Sequence, residues 1–188
     1  MDFIDNIKRY FGERHLRSKE ETKRSKSVSN FADARNIGII YEEKGEGFFI
    51  LVKQYVKYLK AEHGIRDVMA MAYIDDKKQV PHYQVHRLKF DYFTKAELDW
   101  RFEPNCDQVK NFVSTDFDIL IDLDKNPSLP LRFLLAASKA RFKVGHYDPA
   151  LENFYDMMLK TPENTTFDNY ISQVNHYLNL INTRHARA

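Results

Sequence analysis

The sequence predicts an α/β fold: a single three-layer domain on a mostly parallel sheet of about five or six strands, with a basic N-terminal helical arm in front. Three observations carry this expectation. Short, branched apolar runs alternate with longer amphipathic stretches from Asn36 onward. Phe117 to Gly145, FDILIDLDKNPSLPLRFLLAASKARFKVG, reads strand, loop, helix, strand. Residues 1–26 hold eight Lys or Arg against five Asp or Glu, a net +3, which leaves 21 basic and 22 acidic residues for the rest of the 188-residue chain. The basic excess is therefore local, on a near-neutral body.

Each element follows from its own pattern. Phe3, Ile4, Ile7, Tyr10 and Phe11 recur at helical spacing and predict a short amphipathic helix, which Gly12 would weaken. RSKEETKRSKSVSN is polar and aperiodic and predicts an extended or disordered linker. NIGIIYEE, from Asn36 to Glu43, reads as a buried parallel strand, and KGEG as the turn after it. In the next stretch Phe49, Val52, Val56 and Leu59 share one helical face, with Gly64 placed to close the helix. RDVMAMAYI is the following strand, which completes a β-α-β unit of roughly 40 residues.

DDKKQVPHY reads as a loop and VHRLKFDYF as a third strand. Thr94 and Glu97 have the spacing of a capping box. CDQVKNFVS is a short helix, FDILIDLD a strand, PLRFLLAASKA a helix, RFKVG a strand, and NFYDMML a candidate sixth strand. Phe167, Ile171, Val174, Leu178 and Ile181 form the stripe of a last helix that Thr165 or Thr166 would cap. The expected division is an arm and linker over 1–33, a Rossmann-like domain over 34–182 and a tail over 183–188.

Composition narrows the function classes. The single cysteine, Cys106, allows neither an internal disulfide nor a CxxC metal site, which fits a reducing compartment. No apolar run approaches the roughly 20 residues that span a bilayer. Charges interrupt the N-terminal stretch where a signal peptide would be apolar, so a cytoplasmic location is expected.

In an open parallel sheet, ligands bind beyond the C-terminal strand ends. That rule selects Tyr41, Glu42, Asp75, Asp76, Asp122, Asp124, Lys125, Asn126 and His146 as a candidate pocket, able to bind a cation or act as acid and base. Acidic residues at strand ends also serve as loop solvators and helix caps. The first turn carries Gly45 and Gly47, but Ile50 stands where a dinucleotide fingerprint needs its third glycine. Glu42, Glu43 and Glu46 would repel phosphate there. No Walker A loop and no G-x-S-x-G elbow occur, so no cofactor, metal or catalytic residue is assigned. His82 and His86 flank a strand edge beside Pro81 and read as surface residues.

The arm is the sharper signal. Lys8, Arg9, Arg14, Arg17, Lys23, Arg24 and Lys26 interleave with apolar and aromatic residues. Such a segment can track nucleic-acid phosphates, lie on an anionic membrane, or pack its apolar side on the body with its charges in water. Of the first two, RNA is favoured, because the helix is short and the basic residues run on to Lys26.

ARNIGIIYEE, KFDYFTKAELDW, FDILIDLD with PLRFLLAASKARFKVG, and QVNHYLNLIN together resemble an uncharacterised bacterial family of short Rossmann-like proteins. Its members pair a basic N-terminal segment with an IGI-type first strand, and the resemblance covers roughly 30–182. It implies the fold and brings no activity, substrate or catalytic residue. Phe117–Gly145 also resembles the N-terminal half of heptosyltransferase-like glycosyltransferases. In those enzymes a second Rossmann-like domain largely holds the nucleotide-sugar donor, and this chain is too short to contain one.

The reading is thus a non-enzymatic binding protein that docks on RNA or a ribonucleoprotein, the ribosome being one candidate. The alternatives are a small enzyme or ligand-binding protein for a nucleotide, sugar phosphate or metal at the strand ends, and a protein-interaction or structural module.

Overall fold

The computed structural model describes residues 3–18, 24–75 and 89–182. Six strands run in chain order: β1 (Asn36–Glu42), β2 (Asp67–Ile74), β3 (Phe90–Thr94), β4 (Ile119–Asp122), β5 (Phe142–His146) and β6 (Met157–Leu159). Five helices accompany them: α1 (Phe3–Ser18), α2 (Glu46–His63), α3 (Asp107–Ser114), α4 (Leu129–Ala137) and α5 (Phe167–Leu180). All strand pairs are parallel, in the order β3-β2-β1-β4-β5-β6. This is a Rossmann-like three-layer fold, and its order reverses between β1 and β4.

The period-2 alternation of the central strands sorts the core into two. Ile37, Ile39, Tyr41, Ile119 and Ile121 face α2 and α5. Ile40 and Leu120 face α3 and α4. Both faces of β1 and β4 are thus covered, which is why these strands read as continuous apolar runs. Local chemistry sets the element ends. Thr94 and Glu97 form the capping box around a 3-10 turn at Lys95–Glu97. Gly64 closes α2 at φ 63°. Pro130 sits in the first turn of α4, where a missing N–H does no harm. Thr166 caps α5 by accepting from the Asn169 N–H at 3.3 Å.

Two expectations need correction. NFYDMML is a strand only over Met157–Leu159; Phe154 and Tyr155 turn into the core instead. The third strand is Phe90–Thr94, within the stretch expected for it; residues 76–88, with His82 and His86, lie outside the described residues. The stretch after α1 is not a free linker where it is described. Arg24 has a fully buried side chain. Its guanidinium donates to Asp156 Oδ1 at 2.8 Å and to the carbonyls of Ala140 and Arg141 at 3.1 and 2.9 Å. Phe31 is buried, and the Asn30 amide reaches the Ile181 carbonyl at 2.9 Å.

Of the placements open to the arm, the structure shows neither a free helix nor one packed by its aromatic side. The helix forms, but Ile4, Ile7, Tyr10 and Phe11 face solvent, and Gly12 and Leu16 are buried against the body. The reason is steric. A Cβ on Gly12 would overlap the Arg101 carbonyl oxygen and come within 2.8 Å of Leu129 Cδ2. The smallest residue lets the helix backbone approach the 98–105 turn and α4 more closely than any aromatic face would allow. Burial of Leu16 adds roughly 1.5–3 kcal/mol to this docking. His15 Nε2 lies 3.1 Å from Glu103 Oε2, and the Arg9 guanidinium sits 5.9 Å from the centre of the Phe102 ring.

Gly12→Ala separates docking from helix propensity. In a free helix it would stabilise by about 1 kcal/mol. Here it is expected to destabilise by about 1–3 kcal/mol through overpacking, read as a lower urea midpoint. A raised midpoint would show that α1 does not dock through Gly12.

Candidate functional site

The turning point of a doubly wound sheet, between β1 and β4, is where such folds place a ligand. Asp122 ends β4 and is fully buried. Its Oδ2 accepts from the Tyr155 hydroxyl at 2.6 Å, and its Oδ1 from the Asp124 N–H at 2.9 Å. The Tyr170 hydroxyl donates to the Asp122 carbonyl at 2.9 Å. Asp124, 2% exposed, accepts from the Glu42 N–H at the end of β1 and pairs with Lys44. The loops after β1 and β4 are thereby tied to each other, to the segment before β6 and to α5.

Gly145 makes the Tyr155 contact possible. A Cβ at Gly145 would overlap the Tyr155 ring, so glycine in β5 lets that ring lie over the sheet and reach Asp122.

Electrostatics follow burial. Loss of water raises the Asp122 pKa, and the Asp124 charge raises it further. The same desolvation raises Asp124, against the pull of Lys44. Glu42 is also raised, by burial and then by Asp124. His146 is 7% exposed and stacks on Tyr170 with ring centroids 3.6 Å apart. Burial, then Lys125 and Lys44, pushes it down to about 4, so it is neutral at pH 7.

The remaining pocket candidates separate. Tyr41 points into the α2 and α5 core, because alternation along β1 puts its ring on the same face as Ile37 and Ile39. Lys125 donates to the carbonyls of Pro162 and Glu163 at 3.3 and 2.9 Å. Asn126 is exposed, and Asp76 lies outside the described residues. Asp75 accepts from the Tyr73 hydroxyl at 2.9 Å and lies 3.3 Å from Lys95 Nζ. Among the described residues no group of three His, Cys, Asp or Glu side chains is arranged to hold a metal ion. The central carboxyls are occupied by the protein's own donors. The turning point is therefore a fastening between elements more than a vacant ligand site.

A second constellation lies on α1. Ile7, Tyr10, Phe11, Arg14 and Arg17 share its exposed face at helical spacing. Among the described residues, Arg14 and Arg17 form no ion pair. Beside Phe11 stands Trp100, 58% exposed, with ring centroids 6.0 Å apart. Trp100 sits on a turn organised by Asp99, whose Oδ1 accepts the N–H groups of Arg101 and Glu103 at 2.7 and 2.9 Å. At the C-terminal end of α1, Arg17 and Lys26 line a cleft of about 540 Å³ with Glu152, Asn153, Phe154 and Tyr155. Of the other arm cations, Lys8 is half-buried, Arg9 is exposed over Phe102, Arg24 is buried in the body and Lys23 lies outside the described residues.

A family model described as a family of unknown function, DUF6913, matches residues 8–181. The chain belongs to that family. No curated protein and no solved structure matches it. The family match begins inside α1. The docked helix is thus part of the family's unit, together with the sheet.

Sequence patterns did not single out Lys44, Tyr155, Tyr170 or Trp100. Tyr155 lies inside a run that reads as strand, and nothing local places it 33 positions back against Asp122. Trp100 is the one tryptophan of the chain, and nothing in the local sequence places Phe11 beside it.

A carboxyl whose folded pKa lies above its unfolded value adds stability that is complete below the ordinary value of 3.8 and is lost as pH rises through the raised folded value. Asp122→Asn removes that dependence and keeps a group able to accept from the Asp124 N–H. Measured by urea midpoints at about pH 5 and about pH 9, the variant is expected to gain on the wild type at the higher pH. Parallel profiles would mean that Asp122 is charged throughout. Tyr155→Phe is expected to cost about 1–3 kcal/mol, because it leaves Asp122 Oδ2 buried without its donor; an unchanged midpoint would remove Tyr155 from the fastening.

Proposed function

We propose that the protein is a non-enzymatic binding protein that docks on cytoplasmic RNA or a ribonucleoprotein, the ribosome being one candidate, through α1 and the cleft at its end. The observation that carries this reading is the placement of Arg14 and Arg17, exposed on one face of a helix that is anchored by its opposite face. Cations on an anchored helix meet phosphates without a large ordering cost. Lys26 lines the same cleft as Arg17, with Glu152 beside them. Arg24 drops out of the phosphate-contacting set, because its guanidinium holds Asp156 and two carbonyls inside the body.

The ligand-site alternative has less support. Asp122 and Asp124 are satisfied internally, and His146 is stacked on Tyr170. The likeness of 117–145 to heptosyltransferase-like enzymes is a likeness of β4, α4 and β5, which is scaffold, and it brings no catalytic residue. The interaction-module alternative shares the α1 surface and differs only in partner.

Deleting residues 1–26 is a poor test, because it also removes Leu16 and Arg24 from the body. Arg14→Glu with Arg17→Glu leaves those contacts in place. RNA affinity of the double variant is expected to fall, and the slope of log affinity against log salt to drop by about 2. Affinity and slope equal to wild type, measured by anisotropy over a salt series, would overturn the reading.

A further inference from the structure

The ring surface beside the arginines points to the form of RNA. Tyr10, Phe11 and Trp100 are 61%, 44% and 58% exposed. Their centroids are 5.7 and 6.0 Å apart, at interplanar angles of 75° and 60°. They come from two segments nearly ninety positions apart, brought together by the docking of Gly12 on the Arg101 carbonyl. The turn that carries Trp100 is itself constrained: Phe102 holds a left-handed backbone at φ 64°, fastened by the Asp99 hydrogen bonds on either side. A turn fastened in this way presents Trp100 on a preorganised backbone. Arg101 lies 5.5 Å from the Trp100 ring centre, and Arg14 and Arg17 follow on the same face of α1.

A surface that alternates aromatic rings with guanidinium groups matches one chemistry closely. Unpaired bases offer π-faces to the rings while their phosphates meet the cations. An A-form duplex keeps its bases stacked inside, and its deep, narrow major groove does not admit side chains. A second copy of this chain would bring Arg14 and Arg17 against their own like charges, whereas Arg101 is paired with Asp99 at 3.3 Å. We infer that this face takes single-stranded RNA, with bases stacked on Tyr10, Phe11 and Trp100 and the backbone running along Arg14 and Arg17 toward the Lys26 cleft. The inference rests on the RNA reading above and names the form of the ligand.

Trp100 is the only tryptophan in the chain, so its emission reports this surface alone. The full chain is titrated with a fluorescein-labelled, mixed-sequence single strand of about 12 nucleotides, and with the same strand annealed to its complement. The single strand is expected to bind and to quench Trp100, with the duplex at least about tenfold weaker. Trp100→Ala is expected to weaken single-strand binding about tenfold, and Trp100→Phe to restore most of it, with thermal midpoints unchanged. Equal affinity for duplex, or binding without quenching, overturns the stacking inference and leaves the RNA reading standing. No binding of either form overturns both. Concentration-dependent self-association that shifts Trp100 emission in the absence of RNA would assign the face to a second copy instead.

Discussion

The buried Asp122 carboxyl is the constraint around which the sheet's C-terminal edge is arranged. An acid placed out of water must either lose its charge or be surrounded by donors. Here Tyr155 and the Asp124 amide hold its oxygens, and Tyr170 holds its carbonyl. Satisfying one residue draws in β5 through Gly145, the segment before β6 and the helix α5, while Asp124 draws in the end of β1. The region that a doubly wound fold keeps open for a ligand is used for cross-linking. Burial also raises the pKa of Asp122, while the neighbouring Asp124 is held by the Lys44 ammonium.

A second consequence of close approach shapes the outer surface. Gly12 lets α1 lie down on the 98–105 turn and α4, and in doing so directs the aromatic side of the helix outward. An amphipathic helix usually hides its apolar stripe. This one buries a glycine and a leucine, with His15 and Glu103 at the seam, and leaves rings and arginines in water. Exposed aromatic area of this kind beside exposed arginines is the type of surface that marks a contact site. The candidate contact surface therefore lies on α1 and not at the strand ends, where the carboxyls are already held.

The boundary between legible and illegible features runs along sequence distance. The capping box at Thr94 and Glu97, the closure of α2 at Gly64 and a threonine cap at 165 or 166 were readable, because each is decided by residues within about six positions. The burial of Tyr41, by contrast, requires knowing which face of β1 meets α2 and α5. The role of Arg24 requires Asp156, distant in sequence. NFYDMML misled because Phe154 and Tyr155 are apolar for a core reached by a turn, and a strand-like pattern does not reveal which way the backbone bends. Gly12 looked like a weak point of a helix, since its value lies wholly in what touches it.

By itself the sequence determined the alternation of strands and helices, the parallel three-layer architecture and the uneven placement of charge. These are properties of local periodicity and composition, and periodicity decides which surfaces must be buried. Tertiary structure alone decided that the carboxylates at the turning point hold one another's loops in place. It also decided that the arm is docked with its aromatic face outward. Both outcomes depend on close approaches at Gly145 and Gly12, where the absence of a side chain is the determining contact. A sequence names such residues without showing what lies against them.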